Sequence, residues 1–587
     1  MLRQRLFDFV LHQRDKEPLK RMMHSRLAGE WRSVSTREFV KQMNYASKGL
    51  CGLGVQPGDR VALIVSGNRL EWNILDHAIM QIGAVGVPIY PTMTPADTAY
   101  ILNHSESKLC FVSDEKLFRK VSKLLPETPG IKQVYTFEKV EAAPHWESLF
   151  DHSENIEEEE LKALRNKVRE EQLATIIYTS GTTGLPKGVM LSHKNIASNV
   201  ISCKERLPHL EKGSRCVSFL PCCHIYERML HYLYIHSGVE IYLTGMETIK
   251  DDLAFARPHI FTAVPRLFEK FYDGIVSKGS SAPGMKGKIF RWAHDLALRW
   301  EPEGGNGLIY ELKLSVARML VFGKVRKALG LENIKAIASG SAPLQARHAR
   351  FFNAAEMPVL EGYGLTETSP VITVNTFRRS GMYRNGSVGK CISGVEVKIA
   401  EDGEVLCKGP NVMMGYYKDD AQTADIIRNR WFHTGDIGKV EDGFLFITDR
   451  KKELFKTSAG KYIAPQLLEN ALKESAFIDQ VVVTGEGQKF AAALIVPDYG
   501  KLKEAITLTE DITPENLISR DDVKKLMYAE IEKINVRFGS WEKIRAFRLL
   551  PRALSIDEGE ITPTLKLKRK VIYANWKSLI DDCFDRE

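Results

Sequence analysis

The stretch 174–188 reads ATIIYTSGTTGLPKG. Its first five residues form an apolar run rich in β-branched side chains, the pattern of a buried strand. That strand delivers the chain into ten residues, 179–188, that hold three glycines, Gly181, Gly184 and Gly188. Glycine opens backbone dihedrals closed to other residues and lets successive N–H groups converge on an anion. Thr179, Ser180, Thr182 and Thr183 add hydroxyl donors and Lys187 a positive charge, the groups that the oxygens of a triphosphate require. The common P-loop is excluded, because it needs Gly directly before its lysine and Ser or Thr directly after. Here Pro186 precedes Lys187 and Gly188 follows it.

Outward from this loop, the runs 60–65, 108–112 and 335–338 have the same apolar character and helical patterns lie between them, which predicts a parallel α/β architecture. At 587 residues the chain exceeds what one core supports, so two or more domains are expected. Near 449–452 the Gly-punctuated strands give way to a lysine-rich crossing. A shorter pattern follows, with strands at 480–484 and 491–496 and helices at 465–474 and 521–538. The expected boundary falls there, between a large N-terminal domain with α/β sheets over 1–449 and a small C-terminal α+β domain over 450–587. An insertion at about 277–307 carries a helical segment, 288–300, between flexible loops. The charged segment 155–172 predicts a solvated helix in which Glu158 stands four residues before Lys162.

Composition is that of a soluble globular protein, 44% hydrophobic and 27% charged, with no apolar run long enough to span a bilayer. The N-terminal residues 1–17 mix Arg3, Arg5, Asp8, Arg14 and Asp15 with apolar positions, which predicts an amphipathic helix in place of a signal peptide and a cytoplasmic chain. Nine cysteines without a CxxC pair are read as reduced thiols, and Cys216, Cys222, Cys223, His224 and His231 lack metal-ligand spacing. The surplus of 82 basic over 74 acidic residues, +8, favours anionic partners. It is not concentrated on one stretch, so nucleic-acid binding is not expected.

Three further stretches carry chemistry. Residues 361–368, EGYGLTET, place an aromatic ring, a hydroxyl and a carboxylate between Tyr363 and Glu367, enough to stack a purine, bond a phosphate and hold Mg²⁺ through oxygen. Residues 431–436, WFHTGD, end in an acid after a tight turn, and 448–452, TDRKK, put Arg450 just ahead of the boundary. A carboxylate at Asp436 can accept from both hydroxyls of a ribose. Residues 561–570, ITPTLKLKRK, read as a solvated basic stretch at Lys568, Arg569 and Lys570.

In this order the stretches resemble the adenylate-forming (AMP-binding) superfamily. Residues 221–228 (PCCHIYER), 264–268 (VPRLF) and the insertion are similar to its long-chain fatty acyl-CoA synthetases, over about 20–575. The resemblance implies ATP and AMP binding by Thr179, Ser180, Gly181, Thr182, Thr183, Gly184 and Lys187. It implies an adenine-lining turn at Gly340, Ser341, Ala342 and Pro343, and a second nucleotide segment at Glu361, Gly362, Tyr363 and Gly364 with Tyr363 on adenine. Thr366 would face the α-phosphate, Glu367 would hold magnesium, and Asp436 and Arg450 would hold the ribose. Lys566, with Lys568 as the alternative, matches the catalytic lysine that bridges the attacking carboxylate and the α-phosphate.

The same resemblance makes the C-terminal domain mobile about a hinge at Lys452, with Ser458, Gly460 and Lys461 facing coenzyme A. It puts His224 in the active site and Phe268 at an acyl gate. The implied activity is an acid-thiol ligase that uses ATP, Mg²⁺ and coenzyme A on a long-chain fatty acid through an acyl-adenylate. An acceptor on a carrier protein, or a reaction that stops at the adenylate, satisfies the same motifs. A non-catalytic lipid-binding protein is disfavoured by the intact Lys566, Glu367 and Asp436. A greasy substrate and mild positive charge are compatible with peripheral membrane contact, but locate no docking surface.

Overall fold

The apolar run ahead of the loop is a strand, Leu173–Thr179, buried from Ala174 to Tyr178. A computed structural model places it and describes residues 4–27, 29–179, 185–506, 512–555, 557–562 and 567–585. The expected loop residues Ser180, Gly181, Thr182, Thr183 and Gly184, and the expected catalytic lysine Lys566, lie outside the described residues.

The chain divides into two compact units: Met1–Lys398, Leu406–His433 and Asp442–Leu445 in the first, and Ile399–Val405, Thr434–Glu441 and Phe446–Glu587 in the second. Two short segments ahead of residue 446 thus belong with the C-terminal unit. The first unit is α/β, as expected. Among its described residues one sheet has seven strands, in the order Gly415–Tyr416, Lys187–Ser192, Leu173–Thr179, Val85–Ile89, Arg60–Ile64, Ser107–Val112 and Gln133–Thr136. From Leu173–Thr179 outward these strands run parallel, whereas Lys187–Ser192 folds back antiparallel with Thr179 opposite Lys187. The ends of the expected phosphate loop are therefore pinned across one strand pair.

A second sheet runs through Val371–Val374, Val359–Gly364, Ala336–Ser339, Ile260–Ala263, Arg215–Ser218 and Glu240–Leu243, parallel except for its antiparallel edges. The buried faces of these strands are almost wholly apolar, which follows from helices covering parallel sheets on both sides. In the second unit, Ile478–Thr484, Ala491–Pro497 and Ile544–Leu549 form a sheet backed by helices Pro465–Leu472 and Asp521–Asn535.

Two local expectations change. Among the described residues the N-terminal helix runs over Asp8–Lys16. In the charged helix Glu158–Lys167, Glu158 reaches Lys48 at 3.4 Å while Lys162 pairs with Glu159 at 3.5 Å. The anticipated Glu158–Lys162 pairing gives way because a helix surface offers i+3 neighbours as readily as i+4, and because another helix brings Lys48 within reach. No helix among the described residues is long and apolar enough to cross a membrane.

Candidate active site

Tyr416 gathers the first group of expected residues. Its strand pairs antiparallel with Lys187–Ser192, Tyr416 opposite Val189, so its ring lies 5.6 Å from the Lys187 ammonium. Its hydroxyl donates to Glu367 Oε1 at 2.9 Å, and the Met413 amide donates to the Glu367 carbonyl at 2.8 Å. Burial and the neighbouring Glu367 carboxylate both hold the Tyr416 phenol protonated, which keeps it a donor. Lys187 and Glu367, 180 residues apart in sequence, are thus brought to two sides of one ring.

Helix His193–Lys204, which follows the loop-closing strand, fixes this arrangement. It starts with a capping box, the Asn195 amide donating to Ser192 Oγ at 3.1 Å and the Ser192 amide to Asn195 Oδ1 at 2.9 Å. The remaining Asn195 donor group reaches the carbonyls of Pro410 and Val412, both at 2.8 Å. One turn on, Asn199 donates to the Val371 carbonyl at 2.7 Å, and Asn411 donates to that of Thr368 at 3.1 Å. The short helical turn Thr366–Thr368, which carries Thr366 and Glu367, is held at its C-terminal side by the Asn199 and Asn411 amides. The sequence reading missed Asn195, Asn199, Asn411 and Tyr416. The capping pattern Ser-x-x-Asn at 192–195 was a usable local signal for the first.

The expected adenine-lining turn and the GYG segment lie side by side. Ser339 pairs with Glu361 in adjacent parallel strands, so Gly340, where the first strand ends, starts beside Gly362, which continues in strand Val359–Gly364 and pairs with Val374. Glu361 is buried and its Oε1 accepts from the Leu344 amide at 3.2 Å, which ties the end of the 340–343 turn to the second strand. Burial pushes the Glu361 carboxyl up to about 8. Gly364 has no room for a side chain, because a Cβ there would stand 1.7 Å from the Pro370 carbonyl oxygen. Ser341 adopts φ +72°, a left-handed conformation uncommon for a non-glycine residue.

His224 caps helix Ile225–His236, its Nδ1 accepting from the Tyr226 amide at 3.2 Å. The Tyr226 ring is what a Cβ on Gly340 would meet, at 3.0 Å from Cζ, so this cap sits one ring away from the 340–343 turn. The helix is buried throughout and is anchored by Arg228, which forms an ion pair with Asp76 and donates to Thr175 Oγ1 at 2.7 Å. Thr175 in turn donates to the Gly86 carbonyl at 2.7 Å. A charged chain therefore locks this helix to the strand that enters the phosphate loop. Phe268, the expected gate, is buried in helix Pro265–Ser280 with its ring edge-on to Phe352 at 5.1 Å.

In the second unit Asp436 and Arg450 approach to 3.5 Å. Asp436 does not follow a tight turn as anticipated; it lies inside strand Trp431–Glu441, where Gly435 alone bends the backbone to φ +72°. Glu404 supports the bend, accepting from the Gly435 amide at 2.9 Å and pairing with Lys451 at 2.8 Å. Beside Arg450, the fully buried Asp449 accepts from the Gln466 amide at 3.1 Å, and burial pushes its carboxyl up to about 7. Lys452, the expected hinge, is exposed in the turn that follows.

Ser458, Gly460 and Lys461 form the tip of the hairpin Phe455–Lys456/Tyr462–Ile463. Gly460 has φ +75°, and a Cβ added to it would meet nothing within 4 Å, while the Lys461 ammonium stands 5.6 Å from the Trp541 ring. Arg569 corrects the reading of a solvated basic stretch. It lies largely buried at the start of helix Arg569–Asn575 and pairs with Glu469 at 2.7 Å and Glu453 at 3.0 Å. Both partners precede it by a hundred residues or more, a distance over which local sequence pattern carries no information.

The family described as AMP-binding enzyme matches residues 10–417, and AMP-binding enzyme C-terminal domain matches 453–587. The chain belongs to the AMP-binding enzymes. It is similar to the long-chain-fatty-acid--CoA ligase FadD15 of Mycobacterium tuberculosis, 36% identical over 586 residues that cover 98% of this chain and 96% of the relative. Similarity to the human long-chain-fatty-acid--CoA ligase 1 is 32% over 568 residues, 90% of this chain and 78% of that one. Among solved structures, the anthranilate CoA ligase AuaEII in complex with anthranoyl-AMP shares the fold at a TM-score of 0.71, with 17% identity and 98% of each chain covered. The didomain of a carboxylic acid reductase from Segniliparus rugosus does so at 0.73, with 19% identity, covering 99% of this chain and 82% of that one.

Proposed function

We propose that this AMP-binding enzyme is an ATP-dependent long-chain fatty acid:CoA ligase. The reading is carried by its near end-to-end similarity to FadD15 of Mycobacterium tuberculosis. Supporting it, Lys187 and Glu367 flank Tyr416, and the 340–343 turn starts beside the strand that carries the GYG segment.

A carboxylate attacking a triphosphate must overcome the repulsion of two anions, and the expected residues supply the compensating charge. One carboxylate oxygen of the fatty acid attacks the α-phosphorus, the bond to the β-phosphate oxygen breaks, and pyrophosphate leaves with that electron pair. Lys187 and Lys566 neutralise the growing negative charge, Tyr363 and the 340–343 turn hold the adenine, and Asp436 with Arg450 orients the ribose. Glu367 offers a hard oxygen ligand already fixed by Tyr416, which fits Mg²⁺. That ion, when bound, would offset charge on the phosphate oxygens.

In the second half-reaction the sulfur of coenzyme A attacks the acyl carbon, a C–S bond forms, and AMP departs with the electrons of the C–O bond while the thiol proton passes to solvent. Lys566 must leave for that attack, so the C-terminal domain, from residue 450 onward, turns about Lys452 and presents the Ser458–Lys461 hairpin. Gly460, bare at its tip, admits a pantetheine arm.

The test is pyrophosphate release from ATP with palmitate, followed by acyl-CoA formation. Release without thioester in the presence of coenzyme A, but with transfer to a carrier protein, would reassign the acceptor. No release at any chain length would remove the ligase reading. Lys566→Ala is expected to suppress adenylate formation while ATP binding persists; loss of ATP binding would show that Lys566 has another role.

A further inference from the structure

Helix Leu308–Ala317 continues through a π-helical turn, Arg318–Phe322, into Gly323–Ala328, a rod of about 30 Å. It is apolar on two sides. Leu314, Ala317 and Phe322 are buried against the protein, and the Tyr310 hydroxyl anchors the rod by donating to the Leu296 carbonyl at 2.8 Å. The other apolar side faces outward: Leu308 is 85% exposed, Ile309 72%, Leu312 70% and Met319 71%, with Val316 and Leu320 beside them. At about 100° per residue Leu308, Ile309, Leu312 and Val316 fall within an arc of about 100°, and the exposed Met319 and Leu320 in the π-helical turn that follows extend the stripe.

A solvent-facing stripe of this kind costs free energy unless something covers it. Its surroundings identify the cover. Residues 308–327 contain Lys313, Arg318, Lys324, Arg326 and Lys327 against the single carboxylate Glu311. Arg318 and Arg326 are engaged with Glu356, whereas Lys313, Lys324 and Lys327 are exposed and make no ion pair among the described residues. An apolar stripe bordered by uncommitted lysines matches an interfacial helix lying in the plane of a bilayer, its hydrocarbon side chains among acyl chains and its ammonium groups among anionic headgroups.

We infer that the outward stripe of the helix beginning at Leu308 is a docking face for an anionic lipid bilayer. The choice of a bilayer over a protein rests on the proposed ligase reading, since a long-chain acid partitions into membranes and an enzyme docked there meets its substrate where it is concentrated.

The test is flotation of the full chain with vesicles of phosphatidylcholine alone or with phosphatidylglycerol. Wild type is expected to float with the anionic vesicles and to be partly released by salt. The double variant Leu312→Glu/Met319→Glu is expected to lower the bound fraction about tenfold or more, since it removes two of the inserted side chains. Lys313→Gln/Lys324→Gln/Lys327→Gln is expected to lose the preference for phosphatidylglycerol.

Adenylation of octanoate, a soluble acid, in vesicle-free buffer is expected to be equal in all variants and reads the ligase activity separately. Floating by the double variant as well as wild type, or no floating by wild type, overturns the proposal. So does a wild-type dimer in light scattering that the double variant abolishes, because the stripe then belongs to a second copy of the chain.

Discussion

The Tyr416 hydroxyl donates to Glu367 Oε1 at 2.9 Å, and this bond fixes the orientation of the carboxylate proposed to hold magnesium. Tyr416→Phe removes the donor and leaves the ring beside Lys187. A hydrogen bond to a charged group is worth about 1.5–3 kcal/mol, so kcat/KM for adenylation should fall about ten- to a hundredfold. The Mg²⁺ concentration at half-maximal rate should rise with little change in Tm. An unchanged magnesium dependence would separate Tyr416 from the metal.

Asp436 stands 3.5 Å from Arg450. Asp436→Asn keeps the shape and removes the charge that would orient two ribose hydroxyls. Loss of a charged hydrogen-bond acceptor of this kind predicts a rise of about tenfold or more in KM for ATP. Isothermal titration with ATP checks it, because equal affinity in the variant would place the ribose elsewhere.

Glu361 predicts a pH dependence of stability. Its carboxyl is held up at about 8 by burial, so the folded chain retains a proton that the unfolded chain releases at ordinary carboxylate pH. The contribution is therefore whole in acid, below the unfolded value, and is lost as pH rises through about 8. Glu361→Gln keeps an acceptor for the Leu344 amide and cannot ionise. Thermal unfolding should show the variant matching wild type near pH 5 and exceeding it near pH 9. Parallel curves would mean that Glu361 is ionised in the folded chain.

Arg569 neutralises two largely buried carboxylates, Glu453 and Glu469. Arg569→Met strands both and should destabilise the C-terminal unit by about 3–5 kcal/mol. The triple variant that also carries Glu453→Gln and Glu469→Gln should recover much of that loss. Denaturant titration of the full chain provides the comparison, and equal stability of single and triple variants would contradict the charge argument.

The architecture was legible because burial on both faces writes itself into contiguous runs. Residues 60–65, 108–112 and 335–338 emerge as strands Arg60–Ile64, Ser107–Val112 and Ala336–Ser339. Glu367, Tyr363 and Lys187 were legible as types in a pattern. What held them was not, because Asn195, Asn411 and Tyr416 act over separations of tens to hundreds of residues, and nothing in an isolated Asn or Tyr announces its partner. Arg569 looked like its lysine neighbours, and only the fold distinguishes a cation turned inward from those turned to water. Asp436 stood out as an acid in the sequence but was expected on a turn, since a single left-handed glycine within a strand has the same local composition as a loop.

The ion pair of Arg228 with Asp76 constrains how this lineage can diverge. Replacing either partner alone leaves an uncompensated charge in a dry interior, whereas exchanging both for well-fitting hydrocarbon is often tolerated. Substitutions at positions 76 and 228 should therefore arrive together in descendants of this gene, and a lone change at one of them would mark a copy that has stopped being selected.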